Sequence, residues 1–191
     1  MAATIPGCCF TTSSAAFLRA GSSSFPAMSP MYAFPAGQDR GMTVLALMRH
    51  GESGMSIPDE ARPISANGRD QARRSAAWLA EQGLAPGHAL VSSARRTVET
   101  FHAMELRCPM TATEELYECP GRRVLDEING VPGDVDVLLV VAHFPGLPEA
   151  AAQLDPGAEL PGFAPGTVVL LELDDGPAAP GSGRMLAWFT P

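Results

Sequence analysis

Apolar residues follow two alternating patterns along most of the chain. Short runs that are apolar throughout predict buried strands, whereas apolar residues spaced three and four positions apart predict amphipathic helices. The predicted strands are residues 42–48, 88–92, 110–117, 136–142, 167–173 and 184–189, and the predicted helices are residues 66–82, 94–105 and 147–154. Residues 121–128 are expected to form a short helix at best.

Strands that alternate with helices predict a layered α/β domain. We expect a three-layer α/β/α fold with a mostly parallel central sheet, in which residues 136–142 form a buried central strand. The last two strands flank Asp174-Asp175-Gly176, a turn sequence that predicts a C-terminal strand hairpin. The predicted domain covers residues 42–191, which is long enough to enclose one hydrophobic core.

Residues 1–41 differ from the rest of the chain. They contain one acidic residue, two basic residues, many Ser, Thr, Ala and Gly residues, and no sustained apolar period. Acid-poor, serine-rich leaders of this kind resemble organellar transit peptides. We therefore expect a disordered leader, which is either directed to a plastid or the result of a start codon assigned upstream of Met42.

The charge of the chain narrows the possible function classes. The net charge is −8 at pH 7, and all 13 basic residues are arginine. No basic stripe exists that could follow a nucleic-acid backbone, so we expect no nucleic-acid partner. Because the chain has no lysine, enzymes that need a Schiff-base lysine or a P-loop lysine are excluded.

The cysteines and the hydropathy bear on the compartment. Four cysteines occur without any CxxC spacing, which argues against a zinc site and against a disulfide framework and favours a reducing compartment. No apolar run is long enough to span a bilayer. We expect a soluble intracellular protein with no membrane partner, in the cytoplasm or, if the leader is a genuine transit peptide, in a plastid.

Charged and polar residues follow three of the predicted strands at their carboxyl ends. Arg49 and His50 follow the first strand, Arg95 and Arg96 come just after the second, and His143 follows the central one. The carboxyl ends of neighbouring strands in an α/β sheet lie at one edge, where ligands bind. Taken alone, His143 could be a structural cap at the end of the central strand. Taken alone, Arg95 and Arg96 could be solvated residues at the start of a helix. Their recurrence at one edge favours a shared site for an anion.

These motifs resemble those of the histidine phosphatase superfamily, also called phosphoglycerate mutase-like, in the family's order over nearly all of residues 43–190. The segments that carry the resemblance are Leu47-Met48-Arg49-His50-Gly51-Glu52, Arg62-Pro63-Ile64-Ser65 with Gly68, residues 91–100, and Val141-Ala142-His143-Phe144-Pro145-Gly146. The resemblance aligns Arg96, rather than Arg95, with the family's phosphate-binding arginine. It departs at Phe144, where the family has Asn, and at Ala142, where the family has Gly.

The resemblance implies a phosphatase that works through a phosphohistidine intermediate. His50 would accept the phosphoryl group, and Arg49, Arg96 and His143 would bind and stabilise it, with Arg62 as a further substrate-binding residue. The nucleophile must be neutral at its attacking nitrogen, with the other nitrogen held by a hydrogen bond. His143, if protonated, would add a donor. No metal ion and no cofactor are implied, because the arginines neutralise the phosphate charge.

The length of the domain bears on the substrate. Residues 42–191 are too few for the insertions that cover the site in the larger sugar-phosphate members, so the chain looks most like the small phosphohistidine phosphatases of bacterial phosphorelays. The expected partner is a phosphorylated protein that carries phosphohistidine. The alternatives are a small phosphate ester, such as a sugar phosphate, and a module that binds phosphorylated partners without turnover.

A general acid is a separate question. Larger relatives place one on the loop after the third strand, where Glu118 or Glu115 could serve, although a solvated loop residue is the alternative reading of Glu118. The small phosphohistidine members lack this acid, because an imidazole can leave already protonated whereas an alkoxide cannot. Glu99, one helical turn after Arg95 and Arg96, is expected to orient them, and Trp188 is assigned to the core.

Overall fold

The computed structural model describes Met1, residues 44–131 and residues 135–191. The predicted leader, residues 1–41, lies outside the described residues except for Met1. The helices are α1 (Ala66–Glu81), α2 (Arg95–Ala103), α3 (Gly121–Asn129) and α4 (Gly146–Leu154), and the strands are β1 (Val44–Arg49), β2 (His88–Ser92), β3 (Met110–Thr113), β4 (Val137–Ala142), β5 (Val168–Leu173) and β6 (Gly183–Phe189). Two 3₁₀ turns cover Asp59–Ala61 and Glu114–Leu116.

The strands form one six-stranded sheet in the order β3-β2-β4-β1-β5-β6. β2 pairs in parallel with β3 and β4, and β4 pairs in parallel with β1. β5 runs antiparallel to β1 and forms a hairpin with β6. The mostly parallel sheet and the C-terminal hairpin are confirmed.

Helices cover both faces of the sheet, which explains why β4, and all of β1 except its last residue Arg49, are apolar. Leu45 and Leu47 of β1 pack in the cluster that contains the apolar residues of α3 and α4. Ala46 and Met48, which point to the opposite face, pack in the cluster that contains those of α1 and α2. The predicted three-layer α/β/α arrangement is therefore confirmed. None of the described helices is both long and apolar enough to cross a membrane.

The third predicted strand is shorter than expected. β3 ends at Thr113, and residues 114–116 form a 3₁₀ turn in which the Thr113 hydroxyl accepts a hydrogen bond from the Glu115 N–H. The strand stops there because its neighbour β2 ends at Ser92, the pairing partner of Thr113. The prediction of a strand over residues 110–117 is thus wrong for its second half, and this turn carries Tyr117 and Glu118 towards the carboxyl edge of the sheet.

Two further expectations are corrected. Residues 121–129 form a full helix, α3, because Val124, Leu125 and Ile128 lie on one side and are all buried. Trp188 is not a core residue: half of its surface is exposed, since it lies on β6, the outer strand of the sheet. α1 begins as predicted, with the Ser65 hydroxyl accepting a hydrogen bond from the Gly68 N–H.

Candidate active site

His50 and His143 lie side by side at the carboxyl edge of the sheet. β1 and β4 are paired so that Arg49 lies opposite Ala142, and the next residue of each chain segment is a histidine. The His50 N–H donates to the Ala142 carbonyl oxygen over 3.1 Å. The two imidazole rings have centroids 5.2 Å apart and are tilted by 59°. The parallel pairing of two strands is therefore what brings together two residues 93 positions apart in the sequence.

The His50 ring is fixed in one tautomer. Its Nδ1 atom lies 2.8 Å from the Gly51 carbonyl oxygen, which can only accept, so Nδ1 carries the proton and Nε2 keeps a free lone pair. The ring is 8% exposed. Burial, aided by the positive charges of Arg96 and Arg49, lowers the pKa of His50 to about 4. At neutral pH the ring is therefore uncharged, which is the state that attack by Nε2 on a phosphoryl group would require.

His143 is held in the opposite tautomer and is also neutral. Its Nδ1 atom lies 3.3 Å from the Arg96 NH2 group, which can only donate, so the ring proton is on Nε2, 2.9 Å from the Ser92 hydroxyl. Burial, followed by the charge of Arg96, lowers the pKa of His143 to about 3. The condition under which His143 would add a donor, a protonated ring, is therefore not met in this structure at neutral pH. An arriving phosphate dianion would favour its protonation.

Arg49 and Arg96 present unpaired guanidinium nitrogens at the site. Among the described residues, the Nε atoms of both arginines are buried without a hydrogen-bond partner. Burial and the nearby charge of Arg96 lower the pKa of Arg49. Arg49 is anchored by an NH1 bond to the Phe163 carbonyl oxygen (2.8 Å) and lies over the Phe144 ring. Unpaired buried donors are costly and the two cations repel each other, so an oxyanion bound between them would relieve both effects.

Thr100 links the loop after His50 to α2. Its hydroxyl accepts a hydrogen bond from the Gly51 N–H (3.0 Å) and donates to the Arg96 carbonyl oxygen (2.6 Å). Gly51 itself packs against the Gly68 backbone so closely that a side chain there would overlap the first turn of α1. The loop after His50 therefore has little freedom, which helps to hold the His50 ring in one orientation.

Asp59 and Tyr117 belong to the site, although neither was predicted to. The Asp59 Oδ2 atom accepts hydrogen bonds from the Arg96 NH1 group and from the Tyr117 hydroxyl, each over 2.9 Å. The Tyr117 ring packs edge-on against His143, with centroids 5.4 Å apart. Hydrogen bonds from Arg62 above all, and then from Tyr117, lower the pKa of Asp59 to about 2. The sequence feature that could have indicated a role for Asp59 is its position three residues before Arg62, which allows the two side chains to form an ion pair.

Arg62 reaches the site through Asp59. Its NH1 group donates to Asp59 Oδ1 over 2.9 Å, while its Nε and NH2 groups donate to the Gly54 carbonyl oxygen and the Ser53 hydroxyl. These bonds close the loop of residues 53–62, which carries Asp59 towards Arg96. Substrate binding by Arg62 stays a prediction, and its observed contacts are those of a residue that shapes this loop.

The glutamates predicted near the site differ in position. Glu118 lies on its rim, with Oε1 3.8 Å from Arg96 NH2 and a side chain that is 59% exposed. Glu115 instead forms an ion pair with Arg123. Glu99 bonds to Arg95 and to the Ile64 N–H, so the structure provides no contact through which it would orient Arg96 directly. Within residues 44–131 and 135–191, no three His, Cys, Asp or Glu side chains are grouped as a metal site would need.

Comparison with known proteins establishes the family. The chain belongs to the histidine phosphatase superfamily (branch 1), whose family model matches residues 45–143. It is 34% identical to an uncharacterized protein of Mycobacterium tuberculosis over 100 residues, 51% of this chain and 63% of that protein. The chain thus spans less than two thirds of this relative. It is 29% identical over 136 residues to the phosphohistidine phosphatase SixA of Escherichia coli K12, which covers 68% of this chain and 84% of that protein.

Solved structures share the fold. A SixA phosphohistidine phosphatase candidate from Nakamurella multipartitia superposes with a TM-score of 0.73 at 28% identity and covers 81% of this chain and 99% of that chain. The structure of the protein histidine phosphatase SixA complexed with tungstate superposes with a TM-score of 0.70 at 26% identity and covers 78% of this chain and 97% of that chain. The predicted family and the predicted α/β fold are therefore confirmed.

Proposed function

We propose that this protein is a phosphatase that transfers a phosphoryl group from phosphohistidine on another protein to His50 and then to water. The observation that carries the proposal is the state of the His50 ring: buried, neutral, and with Nε2 free to attack. The phosphatase activity is supported by membership of the family, and the choice of phosphohistidine is supported by the similarity to SixA proteins.

The first step forms a bond between His50 Nε2 and phosphorus. Negative charge spreads over three equatorial oxygens as the leaving group departs, so positioned cations do most of the work. We assign this role to Arg49 and Arg96, whose Nε atoms are buried without a partner in the described part of the chain. His143, whose ring centroid is 5.2 Å from that of His50, would lie beside the same oxygens. Because guanidinium groups supply the positive charge, we expect turnover in buffer that contains EDTA.

The second step is attack of water on phospho-His50, which releases phosphate and returns the neutral imidazole. Tungstate, which the related SixA structure contains, is a tetrahedral oxyanion like phosphate. The proposal that Arg49, Arg96 and His143 together surround such an anion agrees with their placement around His50 here. This set of residues remains a proposal for this chain, and oxyanion binding by the full chain would support it.

Exposed apolar side chains near the site favour a protein substrate. Met55 is 91% exposed, Ile57 is 98% exposed and Phe144 is 55% exposed. The first two lie on the loop that carries Asp59 to Arg96, and Phe144 lies under the Arg49 guanidinium. Exposed apolar side chains of this kind are available for contact with a protein partner.

One observation favours the alternative, a small phosphate ester. Glu118 lies close enough to Arg96 to reach a leaving oxygen after a small side-chain movement, as a general acid would have to. If esters are the substrate, we propose Glu118 as that acid. If phosphohistidine is the substrate, Glu118 is dispensable, because the imidazole does not need a proton from the enzyme.

A substrate panel tests the proposal. The full chain, the variant His50→Ala and the control His102→Ala, which removes an exposed histidine of α2, are compared on a phosphohistidine peptide, phosphoramidate, para-nitrophenyl phosphate and phosphoglycerates. We expect kcat/KM to be highest for the two compounds with a P–N bond, no turnover by His50→Ala, and normal turnover by His102→Ala. A preference for the carbon–oxygen esters would instead support the small-molecule alternative.

A further inference from the structure

The Asp59 carboxylate occupies an unusual position for an acid near a phosphate-binding arginine. The Arg96 NH1 group is bonded to Asp59 twice, to Oδ2 over 2.9 Å and to the backbone carbonyl oxygen over 3.0 Å. This arrangement leaves the Nε and NH2 side of the guanidinium for an anion, and NH2 is the group that lies beside His143. A phosphoryl group bound to that side of Arg96 would have the Asp59 carboxylate as its next neighbour along the same guanidinium.

Asp59 is also open to solvent and can accept a further hydrogen bond. Its side chain is 44% exposed, and Oδ1 accepts one bond, from Arg62. A carboxylate oxygen can accept two. The pKa of Asp59 is lowered to about 2 by hydrogen bonds to Arg62 and Tyr117, so the carboxylate stays ionised at neutral pH and has no proton to donate. In this state Asp59 is an acceptor of hydrogen bonds and not a proton donor.

We propose that Asp59 is a specificity-determining residue whose fixed negative charge favours a phosphohistidine substrate, through a hydrogen bond that the carboxylate accepts from the ring N–H, and disfavours a leaving alkoxide. This inference rests on the proposed function and extends it, because it names a residue that would separate P–N from P–O substrates. Two other acids near Asp59 or Arg96 differ from it: Glu60, the next residue of the loop, is exposed without an ion pair among the described residues, and Glu118, which follows the 3₁₀ turn after β3, lies 3.8 Å from Arg96.

The bonds and charges of the first step explain the preference. The lone pair of His50 Nε2 forms the new bond to phosphorus while the bond from phosphorus to the substrate imidazole breaks. The bonding pair stays on the departing ring nitrogen, and the proton that hydrogen-bonds to Asp59 stays on the other ring nitrogen, so the imidazole leaves neutral. With an ester, the bonding pair stays on oxygen, and the resulting negative charge faces an ionised carboxylate in a partly buried site.

Two matched peptides test the inference, one with phosphohistidine and one with phosphoserine at the same position. We compare the full chain with Asp59→Asn, which removes the charge at constant size, and with Asp59→Glu, which keeps it. The ratio of kcat/KM for phosphohistidine to kcat/KM for phosphoserine should fall by about ten- to a hundred-fold in Asp59→Asn. Asp59→Glu should recover part of the preference.

Two more variants separate charge from positioning. Tyr117→Phe removes one hydrogen bond to Asp59 but keeps the carboxylate, so the ratio should stay close to that of the unaltered chain. Glu60→Gln, a control for net charge, should change neither rate. Equal losses on both peptides in Asp59→Asn would mean that Asp59 only positions Arg96, and the inference would be wrong. Absence of phosphohistidine hydrolysis by the unaltered chain would instead overturn the proposed function.

Discussion

Acidification should destabilise the folded protein through its two buried histidines. The pKa of His50 is lowered from 6.5 to about 4 and that of His143 to about 3, in both cases mainly by burial. The unfolded chain therefore takes up protons near pH 6.5 that the folded chain takes up only near pH 4 and below. Between these values the unfolded state binds more protons, so the free energy of unfolding falls as the pH falls.

The size of the effect follows from the two pKa differences. At pH 5 each histidine lowers the free energy of unfolding by about 2 kcal/mol relative to neutral pH, and the two together by about 4 kcal/mol. Total stabilities of small domains are about 5–15 kcal/mol, so the loss is easily measured. Acids with a lowered pKa, such as Asp59, give a stabilisation that is lost only as the pH falls through their ordinary range, near 4, and below it. The window from pH 7 to pH 5 therefore reports on the histidines.

Urea unfolding at pH 7, 6 and 5 is the appropriate assay, with the double variant His50→Asn/His143→Asn as the control. The free energy of unfolding of the unaltered chain should fall by about 4 kcal/mol more than that of the variant over this range. Only the difference in pH dependence is compared, so an overall stability change in the variant does not matter. Parallel pH profiles for the two proteins would refute the reasoning that both rings are kept neutral by burial.

Two further predictions concern packing and docking. Gly68→Ala should lower the free energy of unfolding, measured with urea, by about 2–4 kcal/mol, because a Cβ atom there overlaps the Glu52 carbonyl oxygen. The control Gly54→Ala should lower it far less, because the atom nearest to a Cβ there, the Pro63 carbonyl oxygen, is 3.8 Å away. Similar losses in both would contradict the packing argument. Met55→Ser/Ile57→Ser should lower kcat/KM about ten-fold for a phosphohistidine protein and leave phosphoramidate hydrolysis unchanged. Equal effects on both substrates would argue against a docking role for this loop.

The elements that could be predicted from the sequence are those whose own pattern of apolar residues indicates whether they are buried. β4, and β1 up to Met48, are apolar because both faces of the sheet are covered. The residues that follow these two strands, His50 and His143, were therefore expected at one edge of the sheet. The end of β3 at Thr113 depends instead on where its neighbour β2 stops, which no local pattern of residues 110–117 records.

The role of Asp59 was not predictable for a similar reason. Asp59 lies in a polar loop without periodicity. Its position beside Arg96 depends on a hydrogen bond from Arg62 in the same loop and on one from Tyr117, which is 58 residues away in the sequence. The neutral state of His143 likewise depends on burial and on the Arg96 side chain. Sequence patterns identify the residues that we propose to carry the chemistry of this site, whereas tertiary contacts determine their protonation and direction.

The most direct test of the central claim, that neutral His50 is the nucleophile, is to trap the phosphorylated protein. The full chain is mixed rapidly with a phosphohistidine peptide that carries ³²P, quenched in alkali and mapped by peptide sequencing. We predict acid-labile label on His50 within one turnover, and none in His50→Ala. Label on His143, or phosphate release with no labelled protein at any time, would contradict the account.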